Sequence, residues 1–220
     1  MDIKELQRLN PDKKIYSIDD EAYKPYGRVL GDVCVKDLVE YIDKNIEIPA
    51  SGSKYVPSVP ELEAFDCVKK IEDLVYGQME VEAGYCAGYN DVLGGLEFHQ
   101  GSEVAVTTTD TLFIVGKKQD MSDEGDIDGS KLEYFYIKRG QVVEMYSTTL
   151  HYCPVHVDDN GFFTLVILLR GTNTALDHPS ANKLFTKKNK GFICHTSNTA
   201  KIEAGSYPGL KGDLIKINLK

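Results

Sequence analysis

The sequence predicts a mainly β protein, an antiparallel β-barrel or jelly roll with N-terminal α-helices packed outside it. Helical periodicity is confined to the first part of the 220-residue chain, and from Gln78 onward short strand-like segments follow one another between glycine-rich or polar turns. Short strands without intervening helices indicate an antiparallel sandwich or barrel. With 42% apolar residues, the chain is long enough to form one well-buried unit.

The N-terminal part, residues 1–77, is predicted to hold two helices and an extended connection. Apolar residues at helical spacing predict a short amphipathic helix over 36–45. A second helix is predicted over 60–76, because proline at its first position is compatible with a helix start. The prolines between the two helices favour extended backbone. We expect this part to wrap around the barrel of residues 78–220 as one unit with it.

The barrel strands are predicted from apolar and β-branched segments bounded by turn residues. No internal repeat is visible, so each strand is inferred separately. The predicted strands are 79–84, 95–99, 102–107, 111–115, 132–138, 141–146, 150–156, 162–169, 191–195 and 213–219.

The charge and hydropathy pattern argues against two classes of partner. The net charge is −9, and the one basic cluster lies at 187–190, so a nucleic acid backbone would be repelled. The N-terminus has no apolar signal core, and the longest apolar run, 162–169, is too short to span a bilayer. We therefore expect a cytoplasmic protein without nucleic acid or membrane partners.

The five cysteines are widely spaced and form no C-x-x-C motif, which predicts reduced thiols rather than a disulfide framework or a zinc ribbon. Cys153 follows His151 by two positions. It is therefore a candidate for the same interior face, with packing as a small apolar residue as the alternative.

Four side chains of metal-ligand type are the strongest functional signal. Glu97, His99 and Glu103 have the same parity, so on an extended strand they would point the same way. His151 lies in a second strand-rich segment and offers a fourth ligand. Two histidines and two carboxylates suit Mn, Fe, Zn, Co or Ni better than a thiolate-seeking metal. The alternative is a solvated strand edge for the first three residues and a core position for His151.

The spacing resembles the two motifs of the cupin superfamily, small β-barrels that hold one metal. The first motif, G-x5-H-x-H-x3,4-E-x6-G, is matched at its centre by Glu97-x-His99-x3-Glu103, with Glu in place of the first His and without the flanking glycines. In the second motif, G-x5-P-x-G-x2-H-x3-N, the first glycine and the histidine are retained as Gly140 and His151.

Longer stretches resemble one cupin-like family, catalogued as the domain of unknown function DUF4867. They are residues 26–29, 81–90, 96–103, 149–154, 161–163 and 170–173. The family includes the sulfoquinovose isomerase of transaldolase-type sulfoglycolysis. The resemblance implies a metal-dependent aldose–ketose isomerase that converts sulfoquinovose to sulfofructose through an enediol, with one divalent ion, Mn preferred. A weaker similarity points to ureidoglycolate lyase. Isomerisation of another sugar acid or sugar phosphate, and a non-catalytic sugar-binding sensor, stay open.

An enediol route needs a group that moves a proton between adjacent carbons. Glu144, on a predicted strand, and His156, just past a proline, are candidates for this role. An exposed strand carboxylate and a surface turn are their respective alternatives. One of the nominal ligands, Glu97 or Glu103, is a third option for the base.

An anionic substrate needs cationic donors, and arginine is scarce in this chain. Arg170 directly follows an apolar strand and is predicted to emerge at a barrel mouth, where its planar guanidinium would bind a sulfonate, carboxylate or phosphate. Arg28 is predicted to reach over the mouth from the N-terminal segment. Lys187, Lys190 and His195 would complete an anion pocket. For these residues and for Arg28, surface or solvated positions are the alternatives.

Contacts to sugar hydroxyls are predicted from Tyr85 and Asn90, which precede the first metal-ligand strand. Packing is the alternative for the tyrosine. We also expect a homodimer, because open barrels need their edges covered and the proline-rich segment 48–60 is suited to add to a neighbouring sheet.

Overall fold

The computed structural model describes residues 1–220 and contains five α-helices and sixteen β-strands. The helices are α1 (Ile3–Leu9), α2 (Lys36–Asn45), α3 (Pro60–Glu63), α4 (Asp66–Tyr76) and α5 (Thr199–Glu203). The strands are β1 (Ile15–Ser17), β2 (Gly27–Val29), β3 (Ser53–Val56), β4 (Val81–Gly88), β5 (Gly95–His99), β6 (Glu103–Thr107), β7 (Thr111–Lys117), β8 (Ile127–Asp128), β9 (Glu133–Ile137), β10 (Val142–Met145), β11 (Thr149–Leu150), β12 (Val155–His156), β13 (Phe162–Leu169), β14 (Phe185–Lys187), β15 (Lys190–His195) and β16 (Tyr207–Lys211). None of the helices has the length and hydropathy needed to cross a bilayer.

One layer of the fold is a six-stranded antiparallel sheet with the order β2-β10-β6-β13-β4-β3. Its longest pairing joins β4 and β13 over their full lengths. The edge strands β2 and β3 come from the N-terminal part of the chain and pair with this chain's own barrel strands. The homodimer stays a prediction.

The second layer consists of two sheets joined at one point. In the first, the order is β1-β9-β7-β11, with β12 also on β7; in the second, it is β14-β15-β16-β8, with β5 on β15. An antiparallel bridge between Glu97 and His151 connects them. The two backbone hydrogen bonds of this bridge have N–O distances of 2.6 and 3.0 Å. This bridge brings β5 beside the end of β11.

Apolar side chains fill the space between the layers and cover the outer face of the six-stranded sheet. Between the layers, Phe113 and Phe135 pack against Met145. On the outer face, Ile42 of α2 and Ile71 of α4 join a cluster with the sheet residues. Full burial of one such side chain stabilises the fold by about 1.5–3 kcal/mol. The predicted mainly β fold with helices packed outside it is thus confirmed.

Several predicted elements differ from the observed ones. The helix predicted over 60–76 is divided, because the backbone leaves helical geometry at Phe65. The strand predicted over 150–156 is interrupted between β11 and β12. Residues 213–219 form no strand. The last strand is β16, which was not predicted because it contains Pro208 and Gly209, residues that are unusual within a strand. The three short strands β1–β3 were not predicted.

Candidate metal centre

The structure brings Glu97, His99, Glu103 and His151 together. Their potential ligand atoms all lie within 4.8 Å of one another. The two histidines and Glu103 are buried, and Glu97 is partly buried. The group lies between the two layers of the fold, at the point where the second layer's sheets are bridged.

The ligands do not converge along one strand as predicted. Glu97 and His99 lie on β5 in the second layer, the chain then turns at residues 100–102, and Glu103 begins β6 in the six-stranded sheet. Their convergence arises because two short strands in opposite layers face the same interior. His151 reaches this interior through its backbone bridge to Glu97.

Backbone carbonyl groups orient both imidazole rings. Nδ1 of His99 lies 3.0 Å from the carbonyl oxygen of Asn189, and Nδ1 of His151 lies 3.2 Å from that of Thr149. Each Nδ1–H therefore donates to a carbonyl, which leaves Nε2 directed at the carboxylates. A carbonyl that fixes the far side of an imidazole is the usual support of a metal-binding histidine.

The site has buried polar atoms that the protein itself does not satisfy. Glu103 Oε2 lies 3.2 Å from Nε2 of His151 and 3.4 Å from Nε2 of His99. His99 Nε2 has no hydrogen-bond partner, and Glu97 Oε2 meets the Lys190 ammonium as an ion pair without hydrogen-bond geometry. Because buried polar atoms normally have partners, these nitrogen and oxygen donors fit a single divalent cation.

Electrostatic coupling shifts three pKa values in the group. Burial raises the pKa of Glu103, but His151 and His99 outweigh burial and hold it well below its usual range. Burial also raises the pKa of Glu97, yet Lys190 and the two imidazoles lower it overall. Burial lowers the pKa of His151, whereas the neighbouring Glu103 carboxylate outweighs this and raises it. Both carboxylates are therefore ionised near neutral pH.

These shifts predict that metal stabilises the protein more at higher pH. Without metal, the contribution of His151 is full below its ordinary pKa of 6.5 and is lost as the pH rises through the raised value. The contribution of Glu103 is present above 4.5 and is lost as the pH falls towards its depressed pKa. Metal binding must displace the His151 proton. We expect the Mn²⁺-induced rise in Tm to grow from about pH 5.5 to about pH 8; an equal or larger rise at the lower pH would contradict this.

A cavity of about 190 Å³ opens beside the group and is lined by both Glu97 and Glu103. One water molecule needs a cavity volume of only about 10–15 Å³. The cavity is therefore large enough for a small molecule. Lys190 is the only Lys or Arg that lines it. The other lining residues are Ser53, Tyr55, Cys86, Phe113, Met145, Tyr152, Cys153, Pro154, Thr164, Val166 and Asn173.

Glu144 and Arg28 do not face this cavity, which corrects the sequence-based prediction for both. Met145 pairs with Glu103 and lines the cavity, so the preceding Glu144 points to the opposite face of the sheet. There its Oε2 accepts from Arg28 Nε at 2.6 Å, and its Oε1 accepts from Ser102 Oγ at 2.8 Å. The expected parity was wrong by one residue.

His156 and Asn90 are also outside the cavity. The backbone N–H of His156 donates to the Asn90 carbonyl, and the His156 ring contacts the Asn90 backbone. The Asn90 amide donates to the carbonyls of Cys153 and Pro154. The two residues hold neighbouring loops together, so the structure corrects their predicted catalytic and substrate-binding positions.

Three further substrate-binding predictions are corrected. Arg170 forms ion pairs with Glu63 and Glu80 at 2.9 and 2.6 Å. Tyr85 stacks on a phenylalanine in the cluster beneath the helices, because it lies on the outer face of β4. The buried His195 has both ring nitrogens near oxygen partners, at 2.7 and 3.1 Å. Lys190 is the one predicted substrate contact that the structure places in the cavity.

Most of the cavity wall was not predictable from the sequence. Tyr55 lies on β3, which was not predicted as a strand, so its position was not visible. Thr164 gave a usable signal, because it is the only polar residue in β13. Cys153 does line the cavity, and its Sγ lies 3.9 Å from that of Cys86. Both cysteines are free thiols.

Fold and site together define a mainly β protein with a buried group of residues suited to one divalent metal. The chain belongs to the family described as Domain of unknown function (DUF4867), which it matches over residues 15–215. No curated protein sequence matches it significantly.

Three solved structures illustrate what the fold is similar to. Iron-bound HygX from Streptomyces hygroscopicus is 11% identical with a TM-score of 0.46, and the match covers 77% of this chain and 94% of HygX. A mutant of Bacillus subtilis oxalate decarboxylase OxdC is 12% identical with a TM-score of 0.32, covering 60% of this chain and 30% of OxdC. Vicilin from Corylus avellana (hazelnut) is 11% identical with a TM-score of 0.33, covering 64% and 35%. Each is a distant likeness.

Proposed function

We propose that this protein is a metal-dependent aldose–ketose isomerase of an anionic hexose, with sulfoquinovose and sulfofructose as its substrate pair. The observation that carries the proposal is the group of two imidazoles and two carboxylates, whose carboxylate residues line a small-molecule cavity. The choice of sugar comes from the sequence resemblance to the family that includes sulfoquinovose isomerase.

His99, Glu103 and His151 would hold the ion, with their Nε2 and carboxylate oxygen atoms. A bound divalent ion supplies Lewis acidity that makes a C–H beside a carbonyl easier to deprotonate. Mn is the preferred ion, and an N/O donor set also accepts Fe, Zn, Co or Ni.

Glu97 is the residue we assign to proton transfer. Its carboxylate borders the cavity, and the Lys190 ammonium contacts it, which keeps it ionised and ready to accept a proton. Glu144 and His156, the candidates from the sequence, are replaced in this role because they lie outside the cavity. A base must reach the proton directly or through one water, and among the cavity carboxylates Glu97 is the less buried.

Lys190 is the residue we assign to the substrate anion. With both imidazoles neutral, the two carboxylates and the single lysine give the site a net charge of −1. A bound divalent ion changes this net charge to +1. A monoanionic substrate would restore neutrality. Arg28 and Arg170 are held by carboxylates outside the cavity, whereas Lys190, although it contacts Glu97, is the one Lys or Arg that lines the cavity.

The test of the function is incubation of the purified protein and Mn²⁺ with sulfoquinovose in deuterated water, followed by NMR. Ketose with deuterium at C1 or C2 supports the proposal. Turnover of only a uronate or a sugar phosphate would retain the isomerase and change its substrate. Binding without turnover would favour a sensor, and glyoxylate release from ureidoglycolate would favour a lyase.

Lys190→Met is predicted to affect metal and substrate in opposite directions. Removing the ammonium deprives the metal-free site of its balancing charge and relieves the metal-bound site of a repelling one. We expect metal affinity to rise about tenfold. The free energy of this change is a fraction of the ~4 kcal/mol with which two unit charges about 4 Å apart interact near a protein surface. Sulfoquinovose binding should fall about 10–100-fold, the usual value of a charged hydrogen bond.

Calorimetric titration with Mn²⁺ and then with sulfoquinovose measures both effects. Lys187→Met is the matched control, because it removes the same charge from an exposed residue of β14 that does not line the cavity. Weaker metal binding in Lys190→Met, or equal effects in the two variants, would contradict the assignment.

A further inference from the structure

Two buried oxygen atoms that belong to cavity-lining residues have no hydrogen-bond partner in the protein. They are Oγ1 of Thr164 and Oδ1 of Asn173, and both residues line the same cavity as the metal group. Neither residue is adjacent in sequence to a metal ligand. A buried polar atom without a partner destabilises a fold, so two on one wall indicate that something else satisfies them.

Thr164 stands in an unusual place for a polar residue. It is 1% exposed, on β13 in the centre of the six-stranded sheet, between Cys86 of β4 and Thr107 of β6. Valine has nearly the same shape and would leave no unpaired hydroxyl. Thr107, its neighbour in register, shows the ordinary arrangement, because its hydroxyl donates to the Lys138 carbonyl at 2.8 Å.

Asn173 is held so that its carbonyl oxygen stays unpaired. Its backbone has φ of 66°, in the left-handed region that asparagine tolerates. The side-chain amide nitrogen donates to the Tyr55 hydroxyl at 2.8 Å. The Tyr55 hydroxyl accepts this bond, so its own proton remains available to a ligand. Tyr55 also lines the cavity and belongs to β3.

We propose that Thr164, Asn173 and Tyr55 form a subsite for neutral hydroxyl groups of the ligand. Asn173 Oδ1 is an acceptor only, so its partner must donate, which a hydroxyl does and a sulfonate, carboxylate or phosphate oxygen does not. The ligand is therefore a polyhydroxylated molecule whose hydroxyl-bearing part lies on this wall and whose anion lies at Lys190. The choice of a sugar for this subsite rests on the proposed function.

Thr164→Val tests the subsite, because a functional hydroxyl and a structural one predict opposite changes in stability. Without ligand, the variant loses an unpaired buried hydroxyl, so its Tm should rise by about 2–4 °C for a chain of this size. Its affinity for sulfoquinovose should fall about tenfold. Its affinity for ethanesulfonate, which has the anion and no hydroxyl, should stay at the wild-type value.

Two variants complete the experiment. Thr107→Val removes a hydroxyl that has a partner, so it should lower Tm and leave sulfoquinovose binding unchanged. Thr164→Ser restores the hydroxyl and should restore the affinity. A fall in Tm for Thr164→Val, or unchanged sugar affinity, would overturn the subsite.

Sorbitol, a neutral polyol, separates this proposal from the proposed function. If the wild-type protein binds sorbitol and Thr164→Val binds it more weakly, the subsite stands even where sulfoquinovose is not isomerised. If the wild type binds neither sorbitol nor sulfoquinovose, the subsite is refuted, and a bound water is the remaining partner of the two oxygens.

Discussion

The double substitution His99→Ala with His151→Ala is expected to remove the metal and all isomerase activity. Both imidazoles direct Nε2 into the group while their Nδ1 atoms are fixed by backbone carbonyls. With both imidazole donors gone, too few protein donors remain in the group to retain a divalent ion. Elemental analysis should find near-stoichiometric metal in the wild type and less than about one-tenth of that in the variant.

His178→Ala is the matched control, since His178 is exposed and outside the group. It should keep full metal content and activity. Circular dichroism should show that the double variant remains folded, because the imidazoles contribute few apolar contacts to the core. Equal metal content in the double variant and the wild type would show that the ion is held elsewhere.

The fold class was predictable because strand patterning is local. The helix over 36–45 and the strand over 162–169 were predicted with the observed bounds, since their apolar periodicity is strong. The strands β1, β2 and β3 have three or four residues each, too few for a period to show. Their positions depend on pairing with distant strands, which is a tertiary effect.

The grouping of the four candidate metal ligands was also predictable, although the reason given for their convergence was wrong. Residue type and motif spacing selected Glu97, His99, Glu103 and His151, and the structure brings these four together. Their shared parity along one strand is not the cause of this convergence, because a turn places Glu103 in the opposite layer.

Side chains that line a cavity depend on which face of a sheet is interior, and this was not decided by the sequence. For β10, an error of one residue in the predicted alternation assigned Glu144 to the cavity face, which Met145 occupies. Arg28 and Arg170 show a second limit, because their acidic partners lie far away in sequence. These pairs hold both guanidinium groups outside the cavity, and pairing of this kind is not visible before the fold is known.

Glu97→Gln is expected to reduce isomerisation about 10²–10⁴-fold, the usual contribution of a positioned proton-transfer group. The amide keeps the shape of the side chain but cannot accept the proton. Metal content should remain near the wild-type value, since His99, Glu103 and His151 are unchanged. Deuterium incorporation at C1 or C2 should fall in parallel with turnover, because both depend on the same proton transfer.

Glu144→Gln provides the matched control, because it makes the same chemical change in a buried carboxylate on the opposite face of the sheet. It breaks the ion pair with Arg28 and should lower stability while leaving the rate per folded molecule near the wild-type value. If Glu97→Gln instead loses its metal together with its activity, Glu97 is a fourth ligand, and proton transfer must pass to another residue of the cavity. In this one variant, lost turnover with retained metal thus identifies Glu97 as a base, and loss of both identifies it as a ligand.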